Sequence, residues 1–122
     1  MAKQILTVDD SKTMREMVSF TLKAAGYDIL EAEDGKVALS VLDGKKIDAI
    51  IADLNMPNMN GFELIKALRE QPTYRFTPIL MLTTEGDTSK KEEGKAAGAT
   101  GWIVKPFDPE KLVEVVKKVC PL

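Results

Sequence analysis

Ile5-Leu6-Thr7-Val8-Asp9-Asp10 places a run of strand-forming residues in front of two carboxylates. The same construction returns three times. Ile50-Ile51-Ala52 runs into Asp53, Ile79-Leu80-Met81-Leu82 into Thr83, and Trp102-Ile103-Val104 into Lys105. Near-continuous apolar runs of this length are how strands read when both faces of a parallel sheet are covered. Parallel strands bring all their carboxyl ends to one edge, and in open α/β sheets that edge holds the ligand crevice. Asp9, Asp10, Asp53, Thr83 and Lys105 are therefore expected in one place. Three carboxylates, a hydroxyl and an ammonium are the groups that phosphate and metal chemistry use.

The segments between the runs carry helical spacing. Ser11 to Ala25 has Met14, Met17, Val18, Thr21 and Leu22 on one stripe, with Gly26 as a stop. Asp28-Ile29-Leu30-Glu31-Ala32 is more polar and suits a strand near the sheet edge. Asp34 can cap a second helix containing Val37, Ala38, Val41 and Leu42. Asn60 can cap a third, with Glu63 as its capping-box partner and Phe62, Leu64, Ile65 and Leu68 inward. Asp108-Pro109 pairs a cap with a first-turn proline, ahead of a helix burying Leu112, Val115, Val116 and Val119. Five strands alternating with five helices predict a doubly wound α/β sheet with helices on both faces.

Composition bounds the function. The 122 residues fit one domain; 44% are hydrophobic, enough for a core, and 30% are charged. The net charge is only -2, with lysines and acids interspersed, so no basic stripe points to nucleic acid and no long apolar run to a membrane. Met1-Ala2-Lys3-Gln4 leads straight into a strand, without a signal peptide. Cys120 is a lone cysteine and the chain has no histidine, which removes zinc and catalytic-triad readings. A cytoplasmic setting is expected. Nothing after the fifth helix is long enough to form an output domain, so residues 1–122 are read as a single domain.

Glu85 to Ala99 stands apart, because it contains no large apolar side chain. A fourth helix there can anchor only through Ala96, Ala97 and lysine stems, and Gly94 interrupts it at a cost of about 1 kcal/mol relative to alanine. It should be the least stable of the five, since packing supplies most helical stability. It is either a solvated surface helix or a movable element drawn from the low-stability end of the fold.

Each site residue has an ordinary reading by itself. Asp10 could cap the first helix, Asp53 could be a turn residue, and Thr83 and Lys105 are common at strand ends. Their conjunction is less ordinary, because three acids in one crevice repel unless a cation compensates. Together they carry a resemblance. Val8-Asp9-Asp10-Ser11, Asp53-Leu54-Asn55-Met56-Pro57-Asn58-Met59-Asn60-Gly61, Leu82-Thr83-Thr84-Glu85 and Ala97-Gly98-Ala99-Thr100-Gly101-Trp102-Ile103-Val104-Lys105-Pro106-Phe107 resemble the receiver domain of bacterial two-component response regulators, of the stand-alone CheY type. The likeness spans essentially the whole chain.

That resemblance implies a flavodoxin-like sheet in the order 2-1-3-4-5. It implies that Asp53 is the phosphoacceptor, attacking the phosphorus of a phosphohistidine on a CheA-like sensor histidine kinase. It further implies a Mg2+ ion held by Asp10 and Asp53 directly, by Asp9 through water and by the Asn55 backbone carbonyl. Lys105 and Thr83 would each meet a phosphoryl oxygen. Asn55 and Glu85 would tune hydrolysis of the acyl phosphate, which a phosphatase could also remove. Lys105-Pro106 resembles the family's cis peptide. Trp102 stands where the family often has tyrosine or phenylalanine; it resembles the aromatic switch that turns inward with the threonine, or it is simply a partly buried edge-strand aromatic.

The implied function is a phosphorylation switch rather than a turnover enzyme on an external substrate. Its changed surface, around helix four, strand five and helix five, would bind an output protein such as a flagellar motor component in chemotaxis. Two other readings stay open: a phosphate sink or phosphorelay receiver without a motor output, and a pseudo-receiver scaffold, against which the complete acid, threonine and lysine set argues. A flavodoxin-like nucleotide binder is disfavoured because Asp9-Asp10-Ser11-Lys12-Thr13 lacks a glycine-rich phosphate loop.

Overall fold

The computed structural model describes residues 2–122. Among these, β1 (Gln4–Val8), β2 (Asp28–Ala32), β3 (Ala49–Ala52), β4 (Ile79–Thr83) and β5 (Gly101–Val104) form one parallel sheet in the order β2-β1-β3-β4-β5. The polar segment Asp28–Ala32 takes the edge, as its composition predicts. Helices α1 (Lys12–Ala24), α2 (Gly35–Leu42), α3 (Gly61–Glu70), α4 (Thr88–Ala97) and α5 (Pro109–Val119) alternate with the strands, and Pro72–Tyr74 adds a short 3-10 turn. No described helix is long and apolar enough to cross a membrane.

Alternation along the strands splits the core in two. Leu6, Val8, Ile50, Ala52, Ile79 and Met81 pack with Ala38 and Leu42 of α2 and Leu64, Ile65 and Leu68 of α3. Their neighbours Ile5, Ile51, Leu80 and Leu82 point the other way, onto Val18 and Leu22 of α1 and Leu112 and Val116 of α5. Leu22 and Leu112 are fully buried, and each such side chain contributes about 2 kcal/mol over an exposed one. The α1 stripe differs from expectation at one place. Met17 is half exposed and Ser19 is buried instead, its hydroxyl without a hydrogen-bond partner among the described residues.

The helix caps form where the sequence places them. Asp34 accepts from the Val37 N–H, Asn60 and Glu63 close a reciprocal capping box, and Asp108 accepts from Glu110 ahead of Pro109. Ser11 caps α1, accepting from Met14 at 3.2 Å; Asp10, read alone as a possible cap, is spared that role. Asp87 caps α4 through the Lys90 N–H.

The anchoring of α4 corrects the sequence reading. Ala96 faces outward, Ala97 is half-buried, and Gly94 is the helix's buried residue. A Cβ on Gly94 would lie 2.6 Å from Trp102 Cζ3 and 3.2 Å from Phe62 Cε1. The glycine is thus a notch that admits the indole, not merely an interruption. At the other end of α4, Gly98 turns with φ 115°, and its carbonyl accepts from Arg69 Nε and Nη2 at 3.1 and 2.8 Å. Arg69 Nη1 also donates to the carbonyls of Tyr74, Arg75 and Thr77. Burial lowers the Arg69 pKa, and these carbonyls satisfy the cation.

Candidate functional site

The sheet delivers Asp9, Asp53 and Lys105 one position beyond their strand ends, and Thr83 as the last residue of β4. Val8 pairs with Ala52 and Ala52 with Met81. The ladder then runs on, with Asp53 N–H donating to Val8 O at 2.9 Å, Lys105 N–H to Thr83 O at 2.8 Å and Asp9 N–H to Ala32 O at 3.1 Å. Asp9, Asp53 and Lys105 therefore have backbones fixed by strand hydrogen bonds on both sides of the crevice. Gly61 adds a second constraint. A Cβ there would meet the Asp53 carbonyl oxygen at 2.5 Å, so only glycine lets α3 start this close to the Asp53 backbone.

Carboxylate oxygens of Asp9, Asp10 and Asp53 lie within 4.8 Å of one another, with Asp10 on the exposed side. Asp9 is 3% and Asp53 8% exposed, and Thr83 is fully buried. Lys105 Nζ bridges two of the acids, 2.7 Å from Asp9 Oδ2 and 3.3 Å from Asp53 Oδ2. It sits closer to Asp9 than to Asp53. The other oxygen of each acid takes a main-chain donor, Ser11 N–H for Asp9 and Leu54 N–H for Asp53. Arg15, which the sequence reading passed over, donates to the Asp9 carbonyl and pairs with Glu31 at 3.4 Å. Its position one helical turn from Ser11 was the available signal.

Burial raises the Asp53 pKa above the usual carboxylate value; the Lys105 charge opposes this, the Asp9 charge adds to it, and the Thr83 hydroxyl and Lys105 hydrogen bonds pull it back. Burial disfavours the Lys105 ammonium, but the Asp9 hydrogen bond and the Asp53 and Asp9 charges outweigh it, and its pKa is raised. Two deeply placed acids thus share one cation while Asp10 stands at the rim. That donor set, hard oxygens with an open side, suits a divalent ion that keeps several waters.

Two loops form the mouth. Asn55 follows Asp53 at the surface and its side-chain amide reaches Glu85 Oε1 at 3.4 Å. The Glu85 N–H lies 3.4 Å from Thr83 Oγ1, and the Glu85 carbonyl accepts from Trp102 Nε1 at 2.7 Å. Trp102 is half-buried against Phe62, ring centroids 6.2 Å apart and planes 42° apart. Its edge-strand placement was anticipated; its tie to Glu85 was not. The Lys105–Pro106 peptide is cis.

The family model for the response regulator receiver domain matches residues 5–117. The chain belongs to that family. Among receivers of known sequence, the CheY homolog of Campylobacter jejuni is 42% identical over 118 residues, which cover 95% of this chain and 91% of that protein. The chemotaxis protein CheY1 of Helicobacter pylori is also 42% identical, with 95% of each chain covered. Among solved receivers, CheY4 of Vibrio cholerae superposes with a TM-score of 0.93 at 54% identity, over 98% of this chain and 99% of that one. A response regulator of Chloroflexus aurantiacus superposes at 0.94 with 38% identity, over the whole of both chains. The strand order 2-1-3-4-5 expected from the resemblance is the order this receiver has.

Proposed function

We propose that this receiver is a stand-alone response regulator that takes a phosphoryl group from a sensor histidine kinase onto Asp53 and signals through a changed surface, in chemotaxis. The observation that carries the reading is the Lys105 bridge between Asp9 and Asp53, with Asp10 beside it. An Asp53 oxygen attacks the phosphorus as the phosphorus–nitrogen bond of the phosphohistidine breaks, leaving an aspartyl phosphate. Lys105 would leave the Asp9–Asp53 pair and meet the incoming phosphoryl oxygens, and the Thr83 hydroxyl would donate to another. Asp9, Asp10, Asp53 and the Asn55 backbone carbonyl would hold Mg2+, which supplies charge neutralisation for two anions brought together. Asn55 and Glu85, joined across the mouth, would govern how water reaches the acyl phosphate. Catalysis is positioning and neutralisation, and the protein acts as a switch on itself, not as an enzyme on an external substrate.

The chemotaxis assignment draws on the CheY relatives from Campylobacter and Helicobacter. It carries a CheA-like kinase, an output protein of the flagellar motor type, a phosphatase and a cytoplasmic setting with it. The test is intact-mass measurement after incubation with acetyl phosphate and magnesium. One added phosphoryl group is expected, absent in Asp53→Asn; a label that persists in Asp53→Asn overturns the assignment of the acceptor.

A further inference from the structure

The loop from Leu54 to Asn60 carries Asn55 and separates Asp53 from α3. Its base is closed by the Gly61 N–H donating to the Leu54 carbonyl at 2.8 Å. Its tip is held from a different part of the fold. Asn58 takes a left-handed backbone, φ 69°, and its side-chain amide donates to Asp34 Oδ2 at 2.9 Å. Asp34 is 5% exposed, and its other oxygen caps α2 through the Val37 N–H, also at 2.9 Å. One buried carboxylate therefore joins the amino end of α2 to the loop beside the phosphoacceptor. The Val37 N–H, then the Asn58 amide, hold that carboxyl below its ordinary pKa, so the ionised form makes both bonds. The neighbouring pair reinforces the joint: a Cβ on Gly35 would lie 2.8 Å from Met59 Cγ. Helix α2 needs a cap but not this bond, since serine would cap it equally well.

We propose that Asp34 and Asn58 are positioning residues of the metal site: their hydrogen bond holds the Leu54–Asn60 loop, and with it the Asn55 backbone, ready for a divalent cation. This rests on the reading of Asp9, Asp10, Asp53 and Asn55 as the metal-binding set. Neither residue touches the ion or the phosphoryl group. They act by removing the freedom that the loop would otherwise lose on binding.

Two substitutions break the bond and keep the local backbone conformation or the helix cap. Asn58→Gly keeps the left-handed backbone without strain, and Asp34→Ser keeps the α2 cap. Calorimetric titration with magnesium chloride, without phosphodonor, is the measurement. Each variant should lose about tenfold in magnesium affinity, the lower end for groups that orient metal ligands from outside. The double variant should lose no more than either single one, as expected for one shared interaction. Thermal midpoints in EDTA report the structural cost separately, and it should be larger for Asn58→Gly, which leaves a buried Asp34 oxygen unpaired; a purely structural joint would lower these midpoints and leave the magnesium affinity at the wild-type value. Wild-type affinity in either single variant, or losses that add, overturns the inference, and Asp10→Asn tells the two failures apart. If Asp10→Asn abolishes binding while Asn58→Gly leaves it intact, the metal reading stands and the positioning role falls; if the wild type itself takes up no magnesium, both fall.

Discussion

Trp102 Nε1 donates to the main-chain carbonyl of Glu85 at 2.7 Å, and so the indole is tied to the residue whose side chain closes the mouth of the site against Asn55. Backbone and side chain of one residue face two different neighbours. A shift of the Glu85 backbone at the mouth would strain the indole's bond.

Gly94→Ala tests the seat of that indole. Alanine gains about 1 kcal/mol in helix propensity, but its Cβ would meet Trp102 Cζ3 at 2.6 Å, and overpacking costs about 1–3 kcal/mol. The expected result is a small net loss of stability with a red-shifted tryptophan emission, as the ring moves outward and leaves Glu85. Trp102 is the chain's one tryptophan, so the emission reports this place alone. An unshifted spectrum would show that α4 yields instead of the ring.

Magnesium should raise the thermal midpoint. At ten times its dissociation constant a native-state ligand adds about 1.4 kcal/mol, or about 3–6 °C for a domain of this size. Asp10→Asn should erase the increment and leave the EDTA-treated protein more stable than wild type, because one of three crowded carboxylates is gone. Differential scanning calorimetry with and without the metal decides it.

Asp53 gives stability a pH dependence of unusual sign. Its folded pKa is raised above the unfolded value, so in the window between them the native state holds more protons and stability falls as pH rises. In EDTA, Asp53→Asn should match the wild type near pH 4 and exceed it increasingly above, reaching a plateau once the folded carboxyl is ionised. Labelling by acetyl phosphate should rise through the same window, since the carboxylate is the nucleophile. A stability gap that does not vary between pH 4 and 7 would refute the shift.

Lys105→Met leaves Asp9 and Asp53 facing each other without their cation. Removing one partner of a buried pair costs about 3–5 kcal/mol, and the Lys105 side chain is 11% exposed. Urea melts should show a loss near the lower end of that range at pH 7, largely recovered by magnesium or by adding Asp53→Asn. The raised Lys105 pKa means that the wild type keeps this contribution until alkaline pH, losing it as the ammonium deprotonates.

Ser19→Ala should stabilise the protein by about 1 kcal/mol, because it removes a buried hydroxyl that finds no partner among the described residues. A chemical denaturation midpoint that falls instead would reveal a hydrogen bond to water.

The fold was legible because the strands are short, apolar and each followed by a functional group, and because Asp34, Asn60 and Asp108 are unambiguous caps. The site was legible at Asp9, Asp10, Asp53, Thr83 and Lys105 for the same reason: strand ends of a parallel sheet converge whatever the rest of the chain does. What escaped depends on three-dimensional neighbours with no sequence period. Gly94 reads as a helix defect until the Trp102 ring is seen in the space it leaves, and on α1 it is Ser19, not Met17, that lies buried. Arg15 and Asn58 serve through bonds to residues on other elements, which spacing along the chain does not encode.

The Arg69 cage gives α4 an unequal pair of ends. Its last turn is bolted through the Gly98 carbonyl to α3 and to the Tyr74–Thr77 strap, whereas its first turn rests on Asp87 and the loop that holds Glu85. A rod clamped at one end and sprung at the other behaves as a lever. A displacement of the loop would therefore swing the first turn most and fade along the outer face of the helix toward Gly98, which serves as the hinge, without unwinding a turn.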